Sequence, residues 1–154
     1  MIGRRTGLAL GLASLVGVPV SAAQDDDIRA LYLAFAAAQN ARDLERVRGL
    51  LIDDPHFLWV SDGQSFWGRD IVLARMGRYQ QLKIWHVVPD MASARAVTIS
   101  PGVAYLHLTL ALTIGQSGAS AGVTSFLVSM LCRQTDQGWR IAALFTTIAN
   151  PDRT

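Results

Sequence analysis

Val103-Ala104-Tyr105-Leu106-His107-Leu108-Thr109-Leu110-Ala111-Leu112-Thr113-Ile114 is the stretch that decides the fold. Leu106, Leu108, Leu110 and Leu112 alternate with Tyr105, His107, Thr109 and Thr113, and in an extended strand alternate side chains point to opposite faces. One face of this strand is therefore wholly apolar and the other mixed, so both faces call for cover. Working outward, a Gly/Ser-rich loop over 115–122 leads to a strand over 123–134, and a turn leads to a last strand over 139–148. Upstream, residues 95–99 read as a strand closed by the turn Ser100-Pro101-Gly102, and residues 83–88 as a strand stopping at Pro89, which has no N–H to give to a ladder. The C-terminal half is a meander.

The N-terminal half has a different period. Asp25-Asp26-Asp27 is placed to cap a helix over 26–40 and to favour its positive end, with Ile28, Leu31, Tyr32 and Phe35 recurring at helical spacing. A short second helix over 43–51 collects Leu44, Val47, Leu50 and Leu51 on one side, and Asp53-Asp54-Pro55 ends it. Residues 56–60 are rich in aromatic and branched side chains, Asp62-Gly63 is a two-residue hairpin signal, and residues 64–67 return. Gly68-Arg69-Asp70 starts a third helix carrying Val72, Met76 and Tyr79. Three helices preceding a mostly antiparallel sheet make an α+β domain.

The first residues are read separately. Arg4 and Arg5 precede an apolar run from 7 to 20, and Pro19-Val20-Ser21-Ala22-Ala23 follows with small residues at a cleavage spacing, the pattern of a signal peptide over 1–23. The run has 14 residues, including three glycines and a proline, against the roughly 20 a membrane span needs. Arg4-Arg5-Thr6-Gly7-Leu8 fits the twin-arginine pattern loosely and the general export route equally well. The expected organisation is a signal peptide over 1–23, one domain over 24–150 and a tail over 151–154, with a periplasmic or secreted home and no membrane attachment after cleavage.

Composition narrows the function classes. Of 154 residues, 51% are hydrophobic and 17% charged, a globular rather than disordered balance. Cleavage removes two of the 14 basic residues and none of the 12 acidic ones, and a chain so balanced lacks the basic stripe that phosphate backbones require. No nucleic-acid partner is expected. The lone Cys132 lies beside the apolar run 126–131 and reads as a core thiol. His56, His86 and His107 fall on separate strands without metal-ligand spacing, and no phosphate loop, nucleophile elbow or cofactor fingerprint occurs, so neither metal nor cofactor is expected.

The order helix, helix, hairpin, helix, meander, together with Leu50-Leu51-Ile52-Asp53-Asp54, Asp62-Gly63, Phe66-Trp67-Gly68-Arg69-Asp70-Ile71 and Gly138-Trp139-Arg140-Ile141, resembles the nuclear transport factor 2-like superfamily, in particular its SnoaL-like, ketosteroid-isomerase-related branch. The resemblance implies a cone in which a curved, mostly antiparallel sheet wraps around helices and encloses an apolar pocket, often with homodimerisation through the sheet's outer face. It does not imply one activity, because the fold hosts many.

In ketosteroid isomerases a carboxylate base works with a tyrosine and a protonated acid. An alignment anchored on Asp43-Leu44, Asp53-Asp54 and Ala143-Leu144-Phe145 puts Phe35 at the tyrosine, Trp59 at the base and Met130 near the second acid. Where some relatives carry a histidine near the end of the last strand, this chain has Phe145-Thr146-Thr147. These substitutions imply an aromatic cavity lined by Phe35, Trp59, Trp67, Phe126 and Met130, holding a small apolar ligand. The enzymatic alternative is a cofactor-independent isomerase, cyclase, dehydratase or hydrolase acting on a small hydrophobic substrate, with His86, Tyr32 or Asp62 moving protons. An interaction module using the sheet face is a third reading, and His107, on the mixed face of its strand, sits either in a dimer interface or in the pocket. Asp53 and Asp54 read as turn and capping residues rather than a catalytic pair.

Overall fold

The alternation along residues 103–114 is realised as one long strand, with Ala104, Leu106, Leu108 and Leu110 buried and Tyr105 exposed. The computed structural model describes residues 20–117 and 121–150. The expected tail over 151–154, residues 1–19 of the expected signal peptide and the middle of the 115–122 loop lie outside the described residues. The elements run α1 (Val20–Asn40), α2 (Leu44–Leu50), β1 (Leu58–Ser61), β2 (Gln64–Trp67), α3 (Arg69–Gln80), β3 (Ile84–Ser100), β4 (Val103–Gly115), β5 (Gly122–Thr135) and β6 (Gly138–Ile148). The strands form one sheet in the order β2-β1-β6-β5-β4-β3, antiparallel at every pair except β1 with β6. The α+β architecture with a curved, mostly antiparallel sheet is the one expected.

Two boundaries differ from the sequence reading. β3 does not stop at Pro89 but runs through it, with Pro89 opposite Leu110. β3 is an edge strand, where a missing N–H breaks no second ladder, and its pairing resumes after a register shift between Asp90 and Arg95. Helix α1 is already formed at Val20, and no acidic residue lies in its first turn, so Asp25–Asp27 sit within the helix instead of capping it. The stretch Ser21-Ala22-Ala23-Gln24 is good enough helix-forming sequence to carry the helix back past them.

Local signals are met elsewhere. Asp62 and Gly63 both take positive φ, 53° and 70°, which is the type I′ turn of a two-residue hairpin. Asp43 caps α2 by accepting from the Arg46 N–H at 2.9 Å. Asp54 accepts from the His56 N–H at 2.7 Å, the turn geometry expected of an aspartate just before proline. Asp53 pairs with Arg69 at 2.9 Å.

Helix α1 lies across the concave face of the sheet. Its Ile28, Leu31, Tyr32, Phe35 and Ala38 join Leu106 and Leu108 of β4, Val128 and Met130 of β5 and Ile141 and Leu144 of β6 in one core. Polar side chains fix its position along β3. Arg29 donates to the carbonyls of Met91 (3.1 Å) and Ala94 (2.5 Å), and Asn40 both donates to the Val87 carbonyl (2.8 Å) and accepts from the Val87 N–H (2.7 Å).

Met130 is completely buried in this core, whereas Trp67 is 56% exposed on the short outer strand β2. Met130→Ala is expected to cost about 2–5 kcal/mol of unfolding free energy by opening a cavity in a close-packed interior, and Trp67→Ala within about 1 kcal/mol; urea titration of the two variants checks the difference. Burial also raises the Tyr32 phenol far above its ordinary value and pushes the Cys132 thiol up to about 12. Both groups hold their protons more tightly folded than unfolded, so their contribution is complete below the unfolded-state values of about 9 and 10 and is lost as pH rises beyond them. Between about pH 9 and pH 11 the wild-type urea midpoint should therefore fall more steeply than that of a Tyr32→Phe, Cys132→Ala double variant.

Candidate functional site

Beneath α1 the sheet and helices do not close completely, leaving a cavity of about 250 Å3. Four parts of the chain build it. Helix α1 contributes Tyr32, Phe35 and Gln39; the β1 strand and its turn contribute Trp59, Ser61 and Asp62; and α3 contributes Met76 and Tyr79. The sheet floor comes from alternate residues of the long strands, Trp85 and Val87 of β3, Leu110 and Leu112 of β4, Phe126 and Val128 of β5, Leu144 and Thr146 of β6. The period of two that was legible at 103–114 thus supplies the floor directly.

The register orients the cavity. Leu110 pairs with Pro89, Leu112 with Val87 and Ile114 with Trp85, and lining residues on β4 run from Leu110 to Ile114 while Leu106 and Leu108 are packed core. The closed end is therefore at the level of Leu110 on β4 and of Val128, opposite Leu108, on β5. The mouth lies where β4 ends and β5 begins, near Ile114 and Thr124, with Asp62 of the hairpin turn also on its lining.

Aromatic contacts hold the walls. Trp59 and Phe66 meet at 5.8 Å between ring centroids, Tyr79 stacks on Trp85 at 5.9 Å, and Tyr32 meets Phe35 at 6.0 Å. The Arg75 guanidinium lies 4.1 Å from the centre of the Phe66 ring and 5.1 Å from that of Tyr79, and is 3.4 Å from the Asp62 carboxylate. Trp59 donates its indole N–H to the Thr146 hydroxyl at 3.3 Å, and that hydroxyl donates to the Val60 carbonyl at 3.1 Å. Thr146 is thereby spent on structure and presents no free donor.

The residues singled out in the sequence separate into two groups. Phe35, Trp59, Phe126, Tyr32 and Asp62 all line the cavity. Trp67, Met130 and His86 do not. Trp67 is turned outward, since Phe66 is the β2 residue in contact with the interior, and Met130 lies in the core outside the cavity lining. His86 is exposed because it falls between the lining residues Trp85 and Val87 on a strand that alternates, so it is no proton carrier for this cavity. His107 faces the outer surface, with its Nδ1 3.0 Å from the Ser129 hydroxyl, and His56 is exposed in the turn before β1.

Sequence reading missed Gln39, Ser61 and Trp85. Gln39 follows Phe35 by four residues and so shares its helix face, a spacing that was available in the sequence. Tyr32 keeps its proton, because burial disfavours the phenolate. Among the described residues no group of three or more His, Cys, Asp or Glu side chains converges as metal ligands would. Chemically, the site offers apolar surface, a few neutral donors and acceptors, and one rim carboxylate already paired with Arg75.

The same architecture recurs in solved structures. An uncharacterised Caulobacter vibrioides protein with a cystatin-like fold superposes with a TM-score of 0.70 at 25% identity, covering 82% of this chain and 90% of its own. A nuclear transport factor 2-like superfamily protein from Salmonella enterica serovar Typhimurium gives a TM-score of 0.75 at 12% identity, covering 86% of this chain and 96% of its own. A ketosteroid isomerase-like protein from Erwinia carotovora gives 0.68 at 16% identity, covering 83% and 98%. The latter two are similar in fold alone. No curated protein sequence is significantly similar to this chain. Residues 28–145 match the SnoaL-like domain, a stretch that takes in most of α1, the floor of the cavity except Thr146 and the larger part of β6, and the chain belongs to that family.

Proposed function

We propose that this chain is an exported, dimeric small-molecule-binding domain whose cavity takes up compact apolar compounds. The observation that carries the reading is the cavity itself, about 250 Å3 walled by Phe35, Trp59, Trp85, Phe126 and leucines. Pockets of this kind gain affinity from the apolar area removed from water. Export is supported by the Arg4-Arg5, apolar-run and Val20-Ser21-Ala22-Ala23 pattern. Dimerisation is supported by the sheet's outer face, where Val97, Tyr105, Leu127 and Phe145 are all exposed, apolar side chains that a second copy would cover.

One observation favours an enzymatic reading in second place. Asp62 stands on the same cavity as the protonated Tyr32, so a base and a donor share one substrate space, the minimum that proton transfer on a small hydrophobic molecule requires. The Asp62 carboxylate is already engaged by the Arg75 guanidinium at 3.4 Å, which is why binding is placed first.

Trp59 and Trp85 both report on the cavity, so titration with small apolar compounds should change tryptophan fluorescence, with affinities in the micromolar range. Trp59→Ala should weaken binding by at least about 1 kcal/mol, and Leu110→Trp, which fills the closed end, should abolish it while the variant still unfolds cooperatively. Unchanged affinities in both variants would remove the cavity as the binding site. Light scattering of the secreted chain at tens of micromolar should give twice the monomer mass, and Phe145→Asp on the outer face should return the monomer.

A further inference from the structure

At the opposite end of the sheet from the cavity mouth, the β5–β6 turn, the end of α2 and the start of α3 border an open groove of about 350 Å3 that shares no residue with the cavity. Three cations line it: Arg48 from α2, Arg69 from α3 and Arg140 from β6. Far apart in sequence, they are brought together by the fold alone.

Like charges gathered in one groove repel unless an opposite charge answers them. Arg48 meets Asp70 at 2.6 Å and Glu45 at 3.5 Å, but neither carboxylate lines the groove. Arg69 gives one Nη to Asp53 at 2.9 Å, and the two are placed differently, the Asp53 side chain being 81% exposed and that of Arg69 18%. The carboxylate stays at the rim while the guanidinium lies inside. Its Nε is buried without a partner, so part of the donor fork that grips oxyanions is unused. Arg140 donates to the Trp139 carbonyl and to the Gln137 side chain, and no carboxylate among the described residues lies within ion-pair distance of it.

Gly49 is a second, independent sign of a binding groove. It lines the groove from within α2, where glycine is among the poorest helix formers. Its φ is not positive and a side chain there would meet nothing within 4 Å, so neither backbone geometry nor packing requires it. What the missing side chain does is keep the space beside the arginines open.

The carboxylates narrow the choice of anion. Three arginines and two aspartates, Asp53 and Asp136, line the groove, which leaves one net positive charge. Asp53 is taken by Arg69, whereas Asp136 in the β5–β6 turn has no cation within ion-pair distance among the described residues. A free carboxylate repels a fully ionised anion, but it accepts a hydrogen bond from an anion that still carries a proton. Hydrogen phosphate carries one at neutral pH and sulfate does not. Cations reaching in from three separate elements also suit oxygens at tetrahedral corners better than the coplanar pair of a carboxylate.

We propose that this groove binds inorganic phosphate, with the Arg69 Nε–H and the Arg48 and Arg140 guanidiniums donating to its ionised oxygens and Asp136 accepting from its remaining hydroxyl. The site goes beyond the cavity reading and stands or falls separately from it.

The test titrates the purified, isotope-labelled chain with sodium phosphate, sulfate, acetate or chloride at fixed ionic strength and neutral pH, following amide and arginine Nε–H resonances. Phosphate should shift the Arg69 Nε–H and the amides of Gly49 and residues 135–138 saturably, and sulfate should bind about tenfold more weakly, the worth of one charge-assisted hydrogen bond. Asp136→Asn should bring sulfate level with phosphate, because an amide can donate to either. Gly49→Leu changes no charge and Arg140→Gln orphans no carboxylate, and each should weaken phosphate about tenfold while urea unfolding stays cooperative. Phosphate shifts no larger than those from chloride overturn the site. Phosphate binding that survives either Gly49→Leu or Arg140→Gln unchanged overturns its location. Sulfate or acetate binding the wild-type chain as tightly as phosphate overturns the choice of anion and the role of Asp136.

Discussion

The placement of helix α1 against strand β3 is the constraint on which the rest of the molecule depends. An edge strand leaves a row of backbone N–H and carbonyl groups without a partner strand, and here the helix supplies the partners from its side chains. Asn40 exchanges two hydrogen bonds with Val87 much as a neighbouring strand would, and Arg29 takes the carbonyls of Met91 and Ala94. Arg42, just beyond the helix, donates to the carbonyls of Gln80 and Lys83 and so ties the end of α3 to the same edge. These bonds protect the edge and fix the helix lengthwise. Apolar packing alone would hold α1 on the sheet without deciding how far along it lies, because hydrophobic contact is non-directional.

Once that position is set, the identity of the cavity walls follows from two periodicities. On the helix, Tyr32, Phe35 and Gln39 are three and four residues apart and share a face; on β4, Leu110, Leu112 and Ile114 are two apart and share the facing surface. The bulge between Leu131 and Cys132 and the register shifts in the β3–β4 pair add the curvature that lets a sheet cup the helix. Deeper in, where Leu106, Leu108 and Met130 meet the helix, the packing is complete; toward the strand ends, from Leu110 to Ile114, the helix and the floor leave the cavity between them.

Much of this was legible before the structure, and the limits have physical causes. Periodicity over residues 103–114 identified the inner face, Asp62-Gly63 the hairpin, and the placement of Phe35 and Trp59 at positions that are polar in related enzymes pointed to two residues that do line the cavity. Register was not legible. Met130 has the same alternation as Phe126 and Val128 and belongs to the same inner face, and only its pairing opposite the packed Leu106 puts it beneath the packed part of the helix instead of the open part. Trp67 and His86 fail for the same reason at shorter range: in a strand a neighbour in sequence is on the opposite face, so standing beside Phe66 or Trp85 places a side chain outside. Gln39 was overlooked because a glutamine near a helix end ordinarily reads as solvated, and its burial depends on β3 and the end of α3 closing over it.

The charge beside this cavity shows why its interior stays neutral. Arg75 projects from α3 toward the hairpin and lies over the rings of Phe66, Tyr79 and Trp59, yet it does not line the cavity, whereas Tyr79 and Trp59 do. The rings stand between the cation and the ligand space. Each ring face turned to the guanidinium gains a cation–π contact of order 0.5–2 kcal/mol, and the Asp62 pairing at 3.4 Å supplies the countercharge, so the cation's attraction is used to brace the aromatic wall and fasten the hairpin to α3. Had the arginine reached past the rings, the cavity would hold an anion site at its centre; with the rings interposed, recognition is left to aromatic surface and to the uncharged groups on α1.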